Sequence, residues 1–206
     1  MTGKSSIKYL KLKDNHWHEC LEDSYGYLRE SDPTTVKKFT EPKYHNRLYF
    51  ADALTSMSIQ LAILVELEKK ENQDWMVCAL LTCIAHDFKH PGKVNSFESE
   101  IEQHSVNFLR PILSINSVPD EWQKVIESAI IRSDFAITHH NHANVEGENF
   151  EWDLKWLSVL LNEADVMASA SPKHGPDLGR SLAQEWHLID FPLHATVASI
   201  EGRRLF

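Results

Sequence analysis

His86 and Asp87 form the pair in this chain that is best suited, by residue type and position, to bind a metal ion. The pair ends the strongly apolar run 75–85, and a third ligand-type residue, His90, follows one turn later, before a proline–glycine breaker. One imidazole and one carboxylate suit a divalent ion that accepts nitrogen and oxygen ligands. A His-Asp dipeptide alone is equally typical of a solvated helix end, so the assignment depends on the rest of the chain.

Two other segments carry side chains that could complete such a site. His45 and Tyr49 lie four residues apart near the start of a predicted long helix, so they project from one face. Asp165 is a single aspartate in an apolar helical stretch, where a buried carboxylate needs a cation as partner. An acidic protein that handles phosphates also needs a metal to reverse the local charge.

Composition favours one globular domain. The chain has 206 residues, 42% of them hydrophobic, and a net charge of −9, which excludes a disordered protein and a surface that coats nucleic acid. Two of its three cysteines lie in the apolar run, as expected of core residues in a reducing compartment. The start of the chain lacks a signal-peptide core, and the run 75–85 is too short to span a membrane. We therefore expect a cytoplasmic protein with no membrane partner.

Helical periodicity predicts an all-α fold, arranged as a single compact domain over residues 1–206. The sequence contains no alternating strand pattern and no internal repeat. The predicted helices cover residues 17–28, 44–70, 75–86, 95–113, 119–131, 152–170 and 177–186, with a last short helix within 192–206. Asn95 and Glu98 have the spacing of a capping pair. Residues 138–149, rich in His and Asn, are predicted to form a solvated loop.

The order His, His-Asp, Asp over separate helices resembles the HD superfamily of metal-dependent phosphohydrolases. Residues 44–46 are similar to the Tyr-His-Asn signature of its class I cyclic-nucleotide phosphodiesterase branch. Residues 86–95 match that branch's His-Asp-x-x-His-x-Gly-x-x-Asn signature at every fixed position. Residues 99–104 and 162–165 resemble the segments that supply a glutamate near the site and the last metal aspartate. The resemblance covers residues 40–170 and implies a phosphodiesterase-like helical domain.

This resemblance implies which residues bind metal and which move protons. His86, Asp87 and Asp165 would bind the tighter of one or two divalent ions, drawn from Mn, Fe, Co, Zn, Ni and Mg. Asp87 would also bridge to the second ion. His45 would protonate the leaving oxygen, and either His45 or His90 would assist proton transfer.

The resemblance also implies a surrounding shell. Asn95 and Glu102 would belong to it, and His90 and Glu102 would hold waters of the second ion. Arg47, close to His45 in the sequence, is a candidate contact for substrate phosphate, because a guanidinium can grip two oxygens.

Tyr49 departs from the phosphodiesterase pattern, in which the corresponding residue is a metal-binding histidine. A phenol with a pKa near 10 is a poor replacement for imidazole on a borderline ion, although a phenolate can ligate. Three outcomes stay open. His45 takes over as the ligand, or the site binds metal weakly through three residues and water, or the site has lost its activity. Tyr49 itself would then lie in the outer shell or contact the substrate.

The predicted function is therefore a metal-dependent phosphohydrolase that uses metal-activated water on a small phosphorylated substrate. The sequence ends at Phe206, before the family's base-selecting glutamine and aromatic clamp. Without that region, we expect the substrate to be a smaller phosphate ester, a nucleotide bound in another way, or another phosphodiester. The alternative is a catalytically degenerate member that binds a metal or a nucleotide as a sensor or interaction module. The sequence does not determine the oligomeric state.

Overall fold

A computed structural model describes residues 42–188, together with Glu19, Asp23, Ser24, Leu193, Thr196 and Ser199. Within that part of the chain the protein is helical and has no strand, so the predicted all-α fold is confirmed. The seven helices are α1 (Arg47–Glu68), α2 (Gln73–Ala85), α3 (Glu100–Ile115), α4 (Asp120–Ile131), α5 (Thr138–Ala143), α6 (Leu154–Met167) and α7 (Gly175–Leu188), with a 3-10 turn at Phe135–Ile137. Apart from the isolated residues named above, the helices predicted within 17–28 and 192–206 lie outside the described residues.

Helix α2 is the centre of the fold because it is apolar on nearly all sides. Every side chain from Val77 to Ala85 is buried, and α1, α3, α4 and α6 pack around them. At the amino end of α2 the Trp75 indole donates to the carbonyl oxygen of Asp153 at 3.0 Å, which ties α2 to the start of α6. The buried residues up to Ala85 place the carboxyl end of α2 in the middle of the protein.

Helix α1 is capped by Asn46, whose side-chain oxygen accepts from the backbone N–H groups of Leu48 at 2.9 Å and Tyr49 at 3.4 Å. The capped first turn places Tyr49 in the core and leaves Leu48 exposed. By length and composition α1 could also cross a membrane: its most apolar 18-residue window has a mean hydropathy of 1.5 and is 39% buried. Core helices of soluble proteins satisfy the same criterion, and the expectation of no membrane partner stays a prediction.

The segment predicted as a loop, residues 138–149, begins with helix α5 instead. Asn141 of α5 is buried and donates to the side-chain oxygen of Asn162 in α6 at 2.8 Å and to the carbonyl oxygen of Arg132 at 2.8 Å. These tertiary bonds hold a polar sequence in a helix that its local pattern does not predict.

The predicted start of α3 at Asn95 is also wrong, because the helix begins at Glu100. Ser99 has a left-handed φ of 56°, which separates the preceding turn from the helix. Asn95 still contributes to the first turn of α3, since its side-chain oxygen accepts the N–H of Ile101 at 2.8 Å. Asn95 thus caps the first turn of α3 from five residues before the helix begins.

Gly175 allows α7 to start against the end of α6. A Cβ at this position would collide with the backbone carbonyl oxygen of Ser169, so any other residue would force the two segments apart. The close approach brings Glu185 of α7 to the backbone of Tyr44 and the ring of His45, just before α1.

The packing of α2 predicts that replacing a leucine within it destabilises the protein far more than replacing an exposed leucine of α1. Leu81 in α2 is fully buried, whereas Leu67 near the end of α1 is 70% exposed. We expect Leu81→Ala to lower the free energy of unfolding by about 2–5 kcal/mol and Leu67→Ala to change it by less than about 0.5 kcal/mol. Urea unfolding of both variants measures the difference, and equal losses would contradict the central position of α2.

Candidate metal centre and active site

His86 and Asp87 directly follow α2, and the helix end fixes the orientation of the His86 ring. His86 Nδ1 lies 2.9 Å from the carbonyl oxygen of Cys83, so Nδ1–H donates to that carbonyl. In the neutral ring Nε2 then keeps its lone pair. A histidine whose second nitrogen is held in this way is oriented to bind a metal through Nε2.

Helices α1 and α6 bring two more side chains to this point. The hydroxyl oxygen of Tyr49 lies 2.9 Å from His86 Nε2 and 3.0 Å from Asp87 Oδ2, and the hydroxyl also donates to Asp165 Oδ1. His86 Nε2 lies 3.5 Å from Asp87 Oδ2 and 3.7 Å from Asp165 Oδ1. The structure therefore brings together His86, Asp87 and Asp165, as predicted. The Asp165 side chain is 27% exposed, so solvent reaches this residue.

His45 lies against Asp87 and His90. Its Nε2 is 3.9 Å from Asp87 Oδ2, and its ring stacks on the ring of His90 with centroids 3.5 Å apart. Ligand atoms of these three side chains lie within 4.8 Å of one another, which makes them a possible His/Asp metal site. Gly92 N–H donates to His90 Nδ1 at 3.1 Å, however, and this bond places the ring proton of neutral His90 on Nε2. In that tautomer His90 is a hydrogen-bond donor rather than a metal ligand.

Glu185 belongs to the site, although no sequence motif indicated it. Its carboxylate lies 2.5 Å from His45 Nδ1 and accepts the backbone N–H of Tyr44 at 2.8 Å. Glu185 is 2% exposed and comes 140 residues after His45 in the chain. It sits in an ordinary amphipathic stretch, so only the packing of α7 reveals its role. The candidate site thus extends beyond the segment 40–170.

Carboxylates dominate the electrostatics of this site. Burial lowers the pKa of His86, but the charges of Asp87 and Asp165 outweigh burial and raise that pKa to about 9. Burial also lowers the pKa of His45, and the hydrogen bond to Glu185 with the charge of Asp87 raises it above its usual value. The pKa values of both rings are raised because three carboxylates meet here. Such a site attracts a cation, and its nitrogen and oxygen donors fit a divalent metal.

Two other groups in the site stay neutral. Burial, followed by the charges of Asp165 and Asp87, holds the pKa of the Tyr49 phenol well above its usual range. Burial and the neighbouring His45 hold the pKa of the His90 ring well below its usual value. Each of them can therefore donate a hydrogen bond near neutral pH, Tyr49 from its hydroxyl and His90 from Nε2.

Of the residues predicted to surround the metal ligands, Asn95 and Glu102 contact each other at a partly buried position, whereas Arg47 lies at the surface. Asn95 donates from its amide nitrogen to Glu102 Oε2 at 2.8 Å, and Glu102 is 7% exposed. Burial raises the pKa of Glu102 to about 7, against the lowering effect of the Asn95 hydrogen bond. Arg47 lies exposed on the first turn of α1, and its contact with substrate phosphate stays a prediction.

Comparisons with known proteins point to phosphodiesterases. The chain is 30% identical over 130 residues to the cGMP-specific 3',5'-cyclic phosphodiesterase delta of Plasmodium falciparum (isolate 3D7). The match covers 60% of this chain and 15% of that much longer protein. The fold is similar to that of LmjPDEB1 in complex with IBMX, with a TM-score of 0.63, 12% identity, and coverage of 95% of this chain and 76% of that chain. No model of a protein family matches the chain. The chain therefore has a phosphodiesterase-like helical fold.

The pKa of Glu102 predicts a pH-dependent effect on stability. The unfolded carboxyl ionises near 4.5 and the folded one near 7, so the wild-type protein loses stability as the pH rises between these values. Glutamine at position 102 cannot ionise. We therefore expect the free energy of unfolding of Glu102→Gln, relative to that of the wild type, to rise by up to about 3 kcal/mol from about pH 5 to about pH 8.

Denaturant unfolding at both pH values, with chelator present, measures this gain. Glu98→Gln, which changes an exposed carboxyl just before α3, is the control and is expected to show no pH-dependent gain. A constant offset between Glu102→Gln and wild type at both pH values would contradict the raised pKa.

Proposed function

We propose that this protein is a metal-dependent phosphohydrolase that cleaves a phosphate ester or phosphodiester. The observation that carries the proposal is the convergence of His86, Asp87 and Asp165 from separate elements, with the His45–Glu185 pair beside them. The similarity to a cGMP-specific phosphodiesterase over 130 residues supports the same class of reaction.

The chain's own residues divide between binding and proton transfer. His86, Asp87 and Asp165 would hold a divalent ion. When bound, such ions supply a water of lowered pKa and a positive charge facing the phosphate. Glu185 holds His45 through Nδ1, which leaves the Nε2–H of the charged ring to protonate the leaving oxygen. His90 would donate from Nε2 to a water or a phosphate oxygen.

Cyclic nucleotides are the first substrate class to test, because the similar Plasmodium protein is named as cGMP-specific. Smaller phosphate esters are the second substrate class to test. A panel of cyclic GMP, cyclic AMP, bis(p-nitrophenyl) phosphate and p-nitrophenyl phosphate separates phosphodiesters from phosphomonoesters, and nucleotides from simple aryl esters.

Removing a metal ligand should abolish hydrolysis. We expect His86→Ala to reduce the rate on the preferred substrate to that of chelator-treated wild-type protein, because the ring provides the only nitrogen among the three proposed ligands. His104→Ala, an exposed histidine on α3, is the control and should keep the wild-type rate. Unchanged hydrolysis and metal content in His86→Ala would refute the proposal.

A catalytically degenerate protein that binds a metal or nucleotide is the second candidate, and Tyr49 favours it. Its phenol lies where the three proposed ligands meet, at the position where the phosphodiesterase pattern has a histidine. Stoichiometric binding of manganese or cyclic GMP by the wild-type chain, without turnover across the panel, would support this candidate over the enzyme.

Glu185 should set the upper pH limit of the reaction. The hydrogen bond to Glu185 raises the pKa of His45, and His45 has to be protonated to act as the acid. We therefore expect Glu185→Gln to move the alkaline limb of the rate profile to lower pH. Glu163→Gln is the control, because Glu163 pairs with the exposed His142 at 2.8 Å and should leave the profile unchanged. An alkaline limb at the wild-type pH in Glu185→Gln would exclude this role.

A further inference from the structure

The Tyr49 hydroxyl occupies a position inside the proposed ligand set rather than behind it. Tyr49 is 3% exposed, and its oxygen contacts the ligand atoms of all three side chains: His86 Nε2 at 2.9 Å, Asp87 Oδ2 at 3.0 Å, and Asp165 Oδ1. An outer-shell residue would contact the far side of one ligand, as the Cys83 carbonyl does at His86 Nδ1. Tyr49 instead meets each ligand through the atom that would face the ion.

Four of the separations among these atoms agree with donors around one ion, whereas the Tyr49 and Asp165 oxygens lie closer together than two donors of one ion would. Two atoms bound to the same ion at about 2.1 Å lie about 3.0 Å apart in octahedral geometry and about 3.4 Å apart in tetrahedral geometry. The Tyr49 oxygen lies 2.9 and 3.0 Å from the atoms of His86 and Asp87. His86 Nε2 lies 3.5 and 3.7 Å from the two carboxylates. The Tyr49 and Asp165 oxygens would have to move apart for both to bind the ion.

The three ligand atoms converge on the one phenol oxygen. His86 Nδ1 contacts the Cys83 carbonyl, so the other ring nitrogen, Nε2, faces the Tyr49 hydroxyl. A divalent or trivalent ion at this point would contact all three ligand atoms and the phenol oxygen together.

The competing ligand, His45, is held elsewhere. Its Nδ1 is bound to Glu185, its Nε2 points to Asp87 at 3.9 Å, and its ring is stacked on His90. The Nε2 atom of His45 faces Asp87, whereas Tyr49 already contacts His86 and Asp165 as well.

We propose that Tyr49 is a direct metal ligand, which with His86, Asp87 and Asp165 forms a set of one nitrogen and three oxygens. The inference rests on the metal centre of the proposed function. Coordination exchanges the O–H bond of the phenol for a metal–oxygen bond and releases the proton to solvent. Oxygen-rich sets favour harder ions, so this set selects manganese or iron over zinc.

The test uses the colour of iron–phenolate bonds, a readout independent of activity. The 206-residue chain is stripped with chelator and loaded with ferric iron, and its visible absorption is recorded with its metal content. We expect a phenolate-to-iron band in proportion to bound iron in the wild type, and its loss in Tyr49→Phe and Tyr49→His. Tyr44→Phe is the matched control: Tyr44 is also buried, its hydroxyl bonds to Ser169 at 3.0 Å, and the band should remain.

The variants also separate ligation from an indirect role. Loss of an outer-shell partner costs roughly 10–100-fold in metal affinity, and we expect Tyr49→Phe to lose more for manganese. Tyr49→His should restore binding, with a shift in preference toward zinc. Stoichiometric iron without the band in wild type, or a band that persists in Tyr49→Phe, would overturn the ligand assignment and leave the metal centre standing. A wild-type chain that binds no added metal would overturn both.

Discussion

Negative charge buried around the end of α2 is the constraint on which the rest of this structure depends. Asp87, Asp165 and Glu185 come from three different parts of the chain, and their carboxylates meet two histidines in a largely buried space. Even with both rings protonated, the carboxylates outnumber the positive charges. Uncompensated charge in such a position is costly, so the site demands a further cation. Metal binding is the simplest way for this fold to meet that demand.

The fold holds these groups in place through features that have no catalytic role themselves. The Asn46 cap directs the first turn of α1 into the core, and the apolar α2 keeps its carboxyl end in the centre of the protein. The contact between Gly175 and Ser169 carries α7 close enough for its glutamate to reach His45. Helix ends and one glycine therefore place the charged groups, and the helices themselves supply the apolar surroundings that strengthen their interactions.

The sequence predicted the parts of this structure that depend on local pattern. The all-α class and the helix predicted over 119–131, which the structure has at Asp120–Ile131, follow from periodicity. The grouping of His86 with Asp165 followed from the resemblance to the phosphodiesterases. Glu185 was not predictable, because its partner lies 140 residues away and its own helix has no motif. Helix α5 was missed for a related reason: Asn141 is held by tertiary hydrogen bonds that local composition does not encode.

Anomalous diffraction from crystals grown with manganese tests the central claim most directly, because it locates the ion without reference to any reaction. The account predicts one strong anomalous peak within bonding distance of His86 Nε2 and the carboxylates of Asp87 and Asp165, whether or not a second, weaker peak lies beside Asp87. Full occupancy at another place, such as the exposed histidines of α5, would contradict it. So would the absence of any peak at the end of α2 in crystals saturated with the metal.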